Sequence, residues 1–167
     1  LSAPDTEQLR HALARYATGV AIVTTTDASG NPVGMTVNSF ASVSLTPPLV
    51  LWSVGEHAPE FGVFRVATNT AIHVLGESQV ALSNRFADPA ADKFAGIDWS
   101  TGQSGAPILA DCNVCLQCVA VQSISAGDHQ ILVSQVASVD VRHDEPPLVF
   151  FESGYRQIGA ALDSGWG

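Results

Sequence analysis

The chain has 167 residues, 46% of them apolar and 14% charged, and seven Lys plus Arg face sixteen Asp plus Glu for a net charge of −9. That length and apolar share suit one ordinary domain with its own core, which excludes a disordered chain and a disulfide-stapled miniprotein. Six arginines and a single lysine, Lys93, make no basic patch, which excludes general nucleic-acid binding and docking on anionic lipid.

No window approaches the roughly twenty uninterrupted apolar residues that span a bilayer. The opening residues are polar and acidic, without an apolar signal core, so the expectation is a soluble, cytoplasmic protein, with Leu1 as a trimmed start. From Pro4 to Thr18, Leu9, Leu13 and Tyr16 recur at helical spacing, Asp5 with Gln8 resembles a capping box, and Gly19 stands at a helix stop. Val20 to Thr26 is rich in β-branched residues, and Asp27-Ala-Ser-Gly-Asn-Pro32 is turn chemistry leading into Val33 to Phe40, which together predict a hairpin. After Pro47-Pro48, strands are expected at Leu49 to Val54 and Ala71 to Leu75. Short helices are expected at Pro59 to Val66 and Glu77 to Phe86, before a loop-rich stretch from Asp88 to Pro107. Asn113 to Ile124 and Gln130 to Val141 read as a hairpin joined by Ser125 to His129, and Leu148 to Glu152 as a last strand. About seven strands without a βαβ rhythm favour a closed antiparallel barrel, one domain over 1–167 with its core at about 9–155.

The most informative segment is Gly34-Met-Thr-Val-Asn-Ser-Phe-Ala-Ser-Val-Ser-Leu-Thr-Pro-Pro-Leu49. It strings hydroxyls and an amide along an extended strand among small neighbours, the mixture of donors and apolar wall that a flat polar heteroaromatic ligand requires. A half-exposed strand whose Ser and Thr serve β-propensity has the same composition. The segment resembles the signature of the short-chain flavin reductases, the reductase components of two-component flavin-dependent monooxygenases. Ala71-Ile-His-Val-Leu75, Leu82-Ser-Asn-Arg-Phe-Ala87, Asp92-Lys-Phe-Ala-Gly96, Gly105-Ala-Pro-Ile-Leu109, Cys118, Gly127-Asp-His129 and Pro147 to Tyr155 follow in that family's order, so the likeness runs from about Leu9 to Tyr155.

The resemblance implies a mainly β fold, a split antiparallel β-barrel of the Greek-key, FMN-binding type with an N-terminal helix and a few short peripheral helices. It also implies a homodimer that binds FMN or FAD near the subunit interface. Met35, Thr36, Val37, Asn38 and Ser39 would contact the isoalloxazine edge, and Trp52, Ser53 and Val54 would lie beside the flavin. Ser83, Arg85 and Phe86 would hold the ribityl-phosphate end, where an arginine offers a planar, bidentate fork; taken alone, Arg85 is equally a surface partner of Asp88. His57 is a further cofactor contact. Gly127-Asp128-His129 would aim His129, the catalytic candidate, at the nicotinamide of NADH or NADPH, with Tyr155 as its companion. The implied reaction moves hydride from NADH to flavin, and reduced flavin passes to a separate monooxygenase. No metal is implied.

Cys112-Asn-Val-Cys-Leu-Gln-Cys118 invites a metal reading, but the segment leads into a strand, whose alternation would point Cys115 opposite to Cys112 and Cys118, and inert buried thiols are expected. Gln117 and Gln135 stand where the family frequently has glutamates. They motivate a second reading, a non-catalytic flavin- or haem-binding barrel. A third keeps the reductase chemistry but holds flavin tightly and reduces another small acceptor.

Overall fold

A computed structural model describes residues 5–162. Helix α1 (Thr6–Leu13) starts at Asp5, whose carboxylate accepts from Glu7 N at 3.4 Å. It is shorter than the periodicity predicts because Thr18 and Gly19 form a two-residue strand, β1 (Thr18–Gly19); Pro4, the expected start, lies outside the described residues. None of its residues is buried, and Leu9, Leu13 and Tyr16 are exposed.

The predicted first hairpin forms as β2 (Ala21–Thr26) and β3 (Pro32–Val37). Its turn is organised by Asp27, whose Oδ1 accepts from Ser29 N and Asn31 N while Gly30 takes φ +83°. The chain continues into β4 (Ala41–Leu45), a strand the sequence reading did not predict, and β5 (Pro48–Gly55). Then come α2 (Phe61–Phe64), β6 (Asn69–Val74), a 3-10 turn at Glu77–Gln79 and α3 (Val80–Ala87). The loop-rich stretch contains one short strand, β7 (Trp99–Thr101), which pairs with β8 (Pro107–Leu109). Strands β9 (Val114–Ala126) and β10 (His129–Val141) run closer together than expected, leaving only Gly127 and Asp128 as the turn. Gly127 alone there has positive φ, +64°, the pattern of a II′ hairpin. Finally, β11 (Val149–Phe151) and β12 (Gly154–Arg156) join β1 in a small sheet.

The main sheet is antiparallel throughout, in the order β3-β2-β6-β9-β10-β5-β4. Its two edge strands are consecutive in the chain and joined only by residues 38–40. Seven flat strands would put those edges about 29 Å apart at about 4.8 Å per step, whereas so short a link reaches about 14 Å. The sheet therefore curls until β3 and β4 approach each other, which makes a barrel split along that seam. Ser39 pins the crossing: its hydroxyl donates to Ser53 O and accepts from Ser53 N, both at 3.0 Å.

Inside the barrel pack Ala21, Val23, Trp52, Val54, Ile72 and Leu132; Trp52 meets Phe64 edge to face at 5.0 Å. On its outer side Ile22, Leu75, Phe86, Leu109 and Leu148 form a second core beneath α3. His73, fully buried, is fixed as the Nδ1–H tautomer, since Nδ1 donates to Ile22 O at 3.1 Å and Nε2 accepts from Leu109 N at 3.1 Å. Burial pushes its pKa down to about 4.

All three cysteines are free and buried. Cys112 shares a cluster with Cys115, contrary to the expected alternation, because Cys112 precedes β9 and lies outside its pleat; Cys118 does point to the opposite side, into the barrel. Burial raises the pKa of all three, to about 12 for Cys112 and Cys118. No cluster of three or more His, Cys, Asp or Glu suited to a metal occurs among the described residues. No helix there is long and apolar enough to cross a membrane.

Candidate functional site

Strand β3 alternates, so Gly34 and Thr36 face α3 while Met35 and Val37 turn into the barrel core. The Thr36 hydroxyl donates to Ser83 O at 2.7 Å, and the Ser83 hydroxyl, buried on α3, lies 2.8 Å from the Tyr155 phenol of β12. Three elements far apart in sequence are thereby stitched into one row of hydroxyls. Beside it opens a cavity of about 200 Å³ lined by Val20, Thr36, Val37, Asn38, Phe150 and Tyr155 among others.

This row depends on a glycine that sequence reading did not single out. A Cβ on Gly34 would sit 2.6 Å from Phe86 Cε1 and 2.9 Å from its Cδ1, so only glycine lets α3 lie this close to β3. Gly34→Ala is expected to force Phe86 outward, destabilise the fold by about 1–3 kcal/mol and part Thr36 from Ser83. A urea titration checks the first effect and flavin affinity the second.

On β10, next to β5, His129 pairs in register with Gly55, and its ring lies over that glycine, with Nε2 3.4 Å from where a Cβ would be. Nδ1 is 2.7 Å from the carboxylate of Asp128 and donates to it, so Nε2 is the free atom of a half-exposed ring. The His129 hydrogen bond, followed by the His129 charge, holds Asp128 below the usual carboxylate range. The turn is anchored by Glu56 N, which donates to Asp128 O at 2.9 Å; exposed His57 follows directly, and its charge acts on Asp128 too. The Ser39–Ser53 link ties the two walls of the seam: Asn38 precedes Ser39 and Gly55 follows Ser53 by two residues, and in the antiparallel register of β4 on β5 both lie on the same side of the link.

The expected site residues thus divide. Thr36, Asn38, Ser39, Ser53, Ser83 and Tyr155 line this seam, with His57 and His129 beside the end of β5, whereas Arg85 is exposed on α3 and turned to Ala95. The side chains of Met35, Val37, Trp52 and Val54 pack in the barrel core, and Phe86 in the outer core, so these five can meet a ligand at the seam chiefly through their backbone. Tyr155, the expected companion of His129, sits beneath α3 with its phenol against Ser83, because β12 pairs with β11 there. Arg85 does not pair with Asp88: its guanidinium donates to Ala95 O at 2.5 Å and Asp88 instead accepts from Ala90 N at 2.9 Å. The lone lysine is committed elsewhere, since Lys93 pairs with Glu60 and donates to Gly34 O at 3.1 Å. Gln117 accepts weakly from Ser104 and props the 102–104 loop, while Gln135 lies six residues along β10 from His129. Neither amide hydrogen-bonds to the hydroxyl row or to His129 among the described residues.

The donor set is neutral hydroxyls and one exposed amide, with the exposed guanidinium of Arg85 on the same helix as Ser83, against apolar walls from Val20 and Phe150. That chemistry fits a flat, hydrogen-bonding heteroaromatic ring carrying an anionic tail. Residues 13–159 match the family described as Flavin reductase like domain. The chain belongs to this family. It is 42% identical over 146 residues to FMN reductase (NADH) SmoA of Agrobacterium fabrum, covering 87% of the chain and 82% of that protein. It is 42% identical over 136 residues to a probable flavin reductase of Rhizobium meliloti, covering 81% of the chain. The chain spans about half the length of two Rhizobium meliloti relatives, 44% of this one and 58% of Stachydrine N-demethylase reductase subunit Stc3. Among solved structures, the NADH:FAD oxidoreductase SgcE6 of Streptomyces globisporus superposes with a TM-score of 0.87 at 33% identity, covering 99% of this chain and 96% of that one. The flavin reductase PheA2 superposes at 0.84 with 32% identity, covering 94% and 100%. The expected fold class and family are thereby established.

Proposed function

We propose that the protein is an NAD(P)H:flavin oxidoreductase that passes hydride from NADH to FMN or FAD and hands the reduced flavin to a separate monooxygenase. The observation that carries this reading is the seam itself: a hydroxyl row suited to the flavin, and on β10 an imidazole with a free Nε2. Relatives named as NADH-dependent FMN and FAD reductases and as monooxygenase reductase components support it. A homodimer, expected from the resemblance, belongs to the same proposal.

Flavin, when bound, supplies the two-electron acceptor, and the chain's part is to position and orient. Thr36 and Asn38 give polar contacts at the ring edge, and the Ser39–Ser53 pair holds the crossing rigid beneath it. Arg85 offers its remaining N–H groups to the phosphate end. Asp128 fixes the His129 ring through Nδ1, leaving Nε2 to bind the nicotinamide nucleotide. No acid-base dyad is required, because no proton has to be abstracted from carbon.

Anaerobic mixing of the protein with NADH or NADPH and FMN or FAD is expected to bleach the flavin band in at least one pairing; absence of bleaching in all of them sinks the proposal. His129→Ala is expected to raise the KM for NADH about tenfold, the worth of one charge-assisted hydrogen bond. Because His129 makes no hydrogen bond to Thr36, Ser83 or Tyr155, flavin Kd should move by less than about twofold. Parallel loss of both would contradict this separation of roles.

A further inference from the structure

On β5 the side chains of Val50, Trp52 and Val54 fill the barrel, so Leu49, Leu51 and Ser53 stand on its outer face. Cross-strand partners share a face: Val133 of β10 pairs with Leu51, Ile131 with Ser53, and Ile124 of β9 with Ile131. Leu49, Leu51, Ile124, Ile131 and Val133 thus make one outer patch. Among the described residues none of the five belongs to the barrel core, to the core beneath α3 or to the cysteine cluster. Charge is missing from the same region. Residues 28–55 and 112–139, which carry β4, β5, β9 and most of β10, hold no Lys, Arg or Glu and a single Asp, Asp128 of the hairpin turn.

Area and charge decide what covers this face. The chain exposes 10065 Å² of surface, whereas a compact monomer of 17.4 kDa exposes about 7,900 Å². If two copies each hid that excess, roughly 2,000 Å² apiece, the total would fall within the range of about 2,000–5,000 Å² that obligate homodimers bury. Two chains of net charge −9 repel each other, and a face without charge is where they meet at least cost. A twofold axis lays the patch on its own copy, apolar on apolar, so no second surface is needed. The face also borders the candidate site. His129 lies two residues from Ile131, hence on the same side of β10, and its ring is half exposed. One protomer alone encloses little space: the cavity beside the hydroxyl row, about 200 Å³, is below the roughly 300–1,000 Å³ of small-molecule sites. We propose that two copies of the chain pack through this outer face of β5, β10 and β9, and that the partner closes the site around His129. This assigns a face to the homodimer of the proposed function, and it rests on that function only for the partner's role at the site.

Analytical ultracentrifugation tests it. The wild type is expected to sediment at twice 17.4 kDa. Ile124→Lys, at a position 39% exposed that tolerates a lysine, and Val133→Lys each set a charge on the patch, and the twofold axis presents it twice. Each should raise the dimer dissociation constant at least about hundredfold, the effect of a buried, unpaired charge. With the fold checked by circular dichroism, each should also raise the KM for NADH about tenfold, the worth of lost closure around His129. Leu13→Lys, on exposed α1, should leave both quantities as they are. The proposal is overturned by a monomeric wild type, whose outer face would then be free or reserved for a different protein. It is equally overturned by a dimer that neither sheet variant weakens, or by one that Leu13→Lys breaks instead. Monomeric variants with an unchanged KM for NADH would strike the partner from the site. If Val133→Lys melts early, Ile124→Lys alone decides. Sedimentation is indifferent to flavin bleaching, so failure of the hydride reaction leaves the test of the face standing.

Discussion

Acidification from about pH 6.5 to about pH 4 is expected to cost the protein about 3 kcal/mol of stability through His73 alone. The ring has no room for a second proton: Nδ1 already donates to Ile22 O, and Nε2 is occupied as acceptor by Leu109 N. Its pKa is about 4 in the folded chain against 6.5 when free, chiefly because burial penalises the cation. Between those values the unfolded state binds a proton that the native state refuses, so stability rises with pH across this window. The contribution is whole above about pH 6.5, falls as the pH drops, and is exhausted below about pH 4. Urea midpoints measured across this range for the wild type and for His73→Gln check it. The variant should be less stable at neutral pH, yet show a shallower fall, because carboxylates common to both proteins cancel in the difference. Equal slopes would contradict the assignment.

A second large loss is expected from Glu60→Ala. Its carboxylate pairs with Lys93, and the two side chains are only 14% and 10% exposed. Removing the acid strands a largely buried ammonium, for which about 3 kcal/mol is the expected cost. Lys93→Met removes the charge along with its partner's need for it, so the double variant Glu60→Ala, Lys93→Met should be less damaged than Glu60→Ala alone. The site should register the single variant too, because Lys93 also donates to Gly34 O and so supports the strand that carries Thr36. Chemical denaturation of the three proteins gives the coupling directly.

Much of this was legible in the sequence, for identifiable reasons. The Asp27 turn, the β-branched run of β2 and the two long strands announced themselves because their signals are local. The seam was legible only through resemblance: composition places Thr36, Ser83 and Tyr155 on three unrelated segments, and nothing local says that their hydroxyls meet. Side-chain direction was the main casualty. Trp52, Ser53 and Val54 were expected together beside a ligand, yet strand alternation allows only Ser53 on that side and sends its neighbours into the barrel. The same alternation, applied to Met35 and Val37, would have found this from the sequence. The contact of Tyr155 with Ser83 was illegible for a different reason, since it depends on β12 folding back on β11, a pairing of two three-residue strands with little pattern to read. Their turn, Glu152-Ser153, takes positive φ at both residues without a glycine. Its cost is offset by contacts to the end of α1: Glu152 pairs with Arg15 and its N–H donates to Ala14 O.

Strand β2 carries a consequence for how the molecule comes apart. Ala21 and Val23 belong to the barrel interior, whereas Ile22 belongs to the core beneath α3, and Thr24 and Thr25 are buried as well. A single stretch of backbone is therefore the common wall of both cores, and neither can melt while the other stands. The protein should lose its structure in one cooperative step. Amides of β2 should exchange with deuterium only through that global event, while those of the uncovered α1 exchange through local fraying.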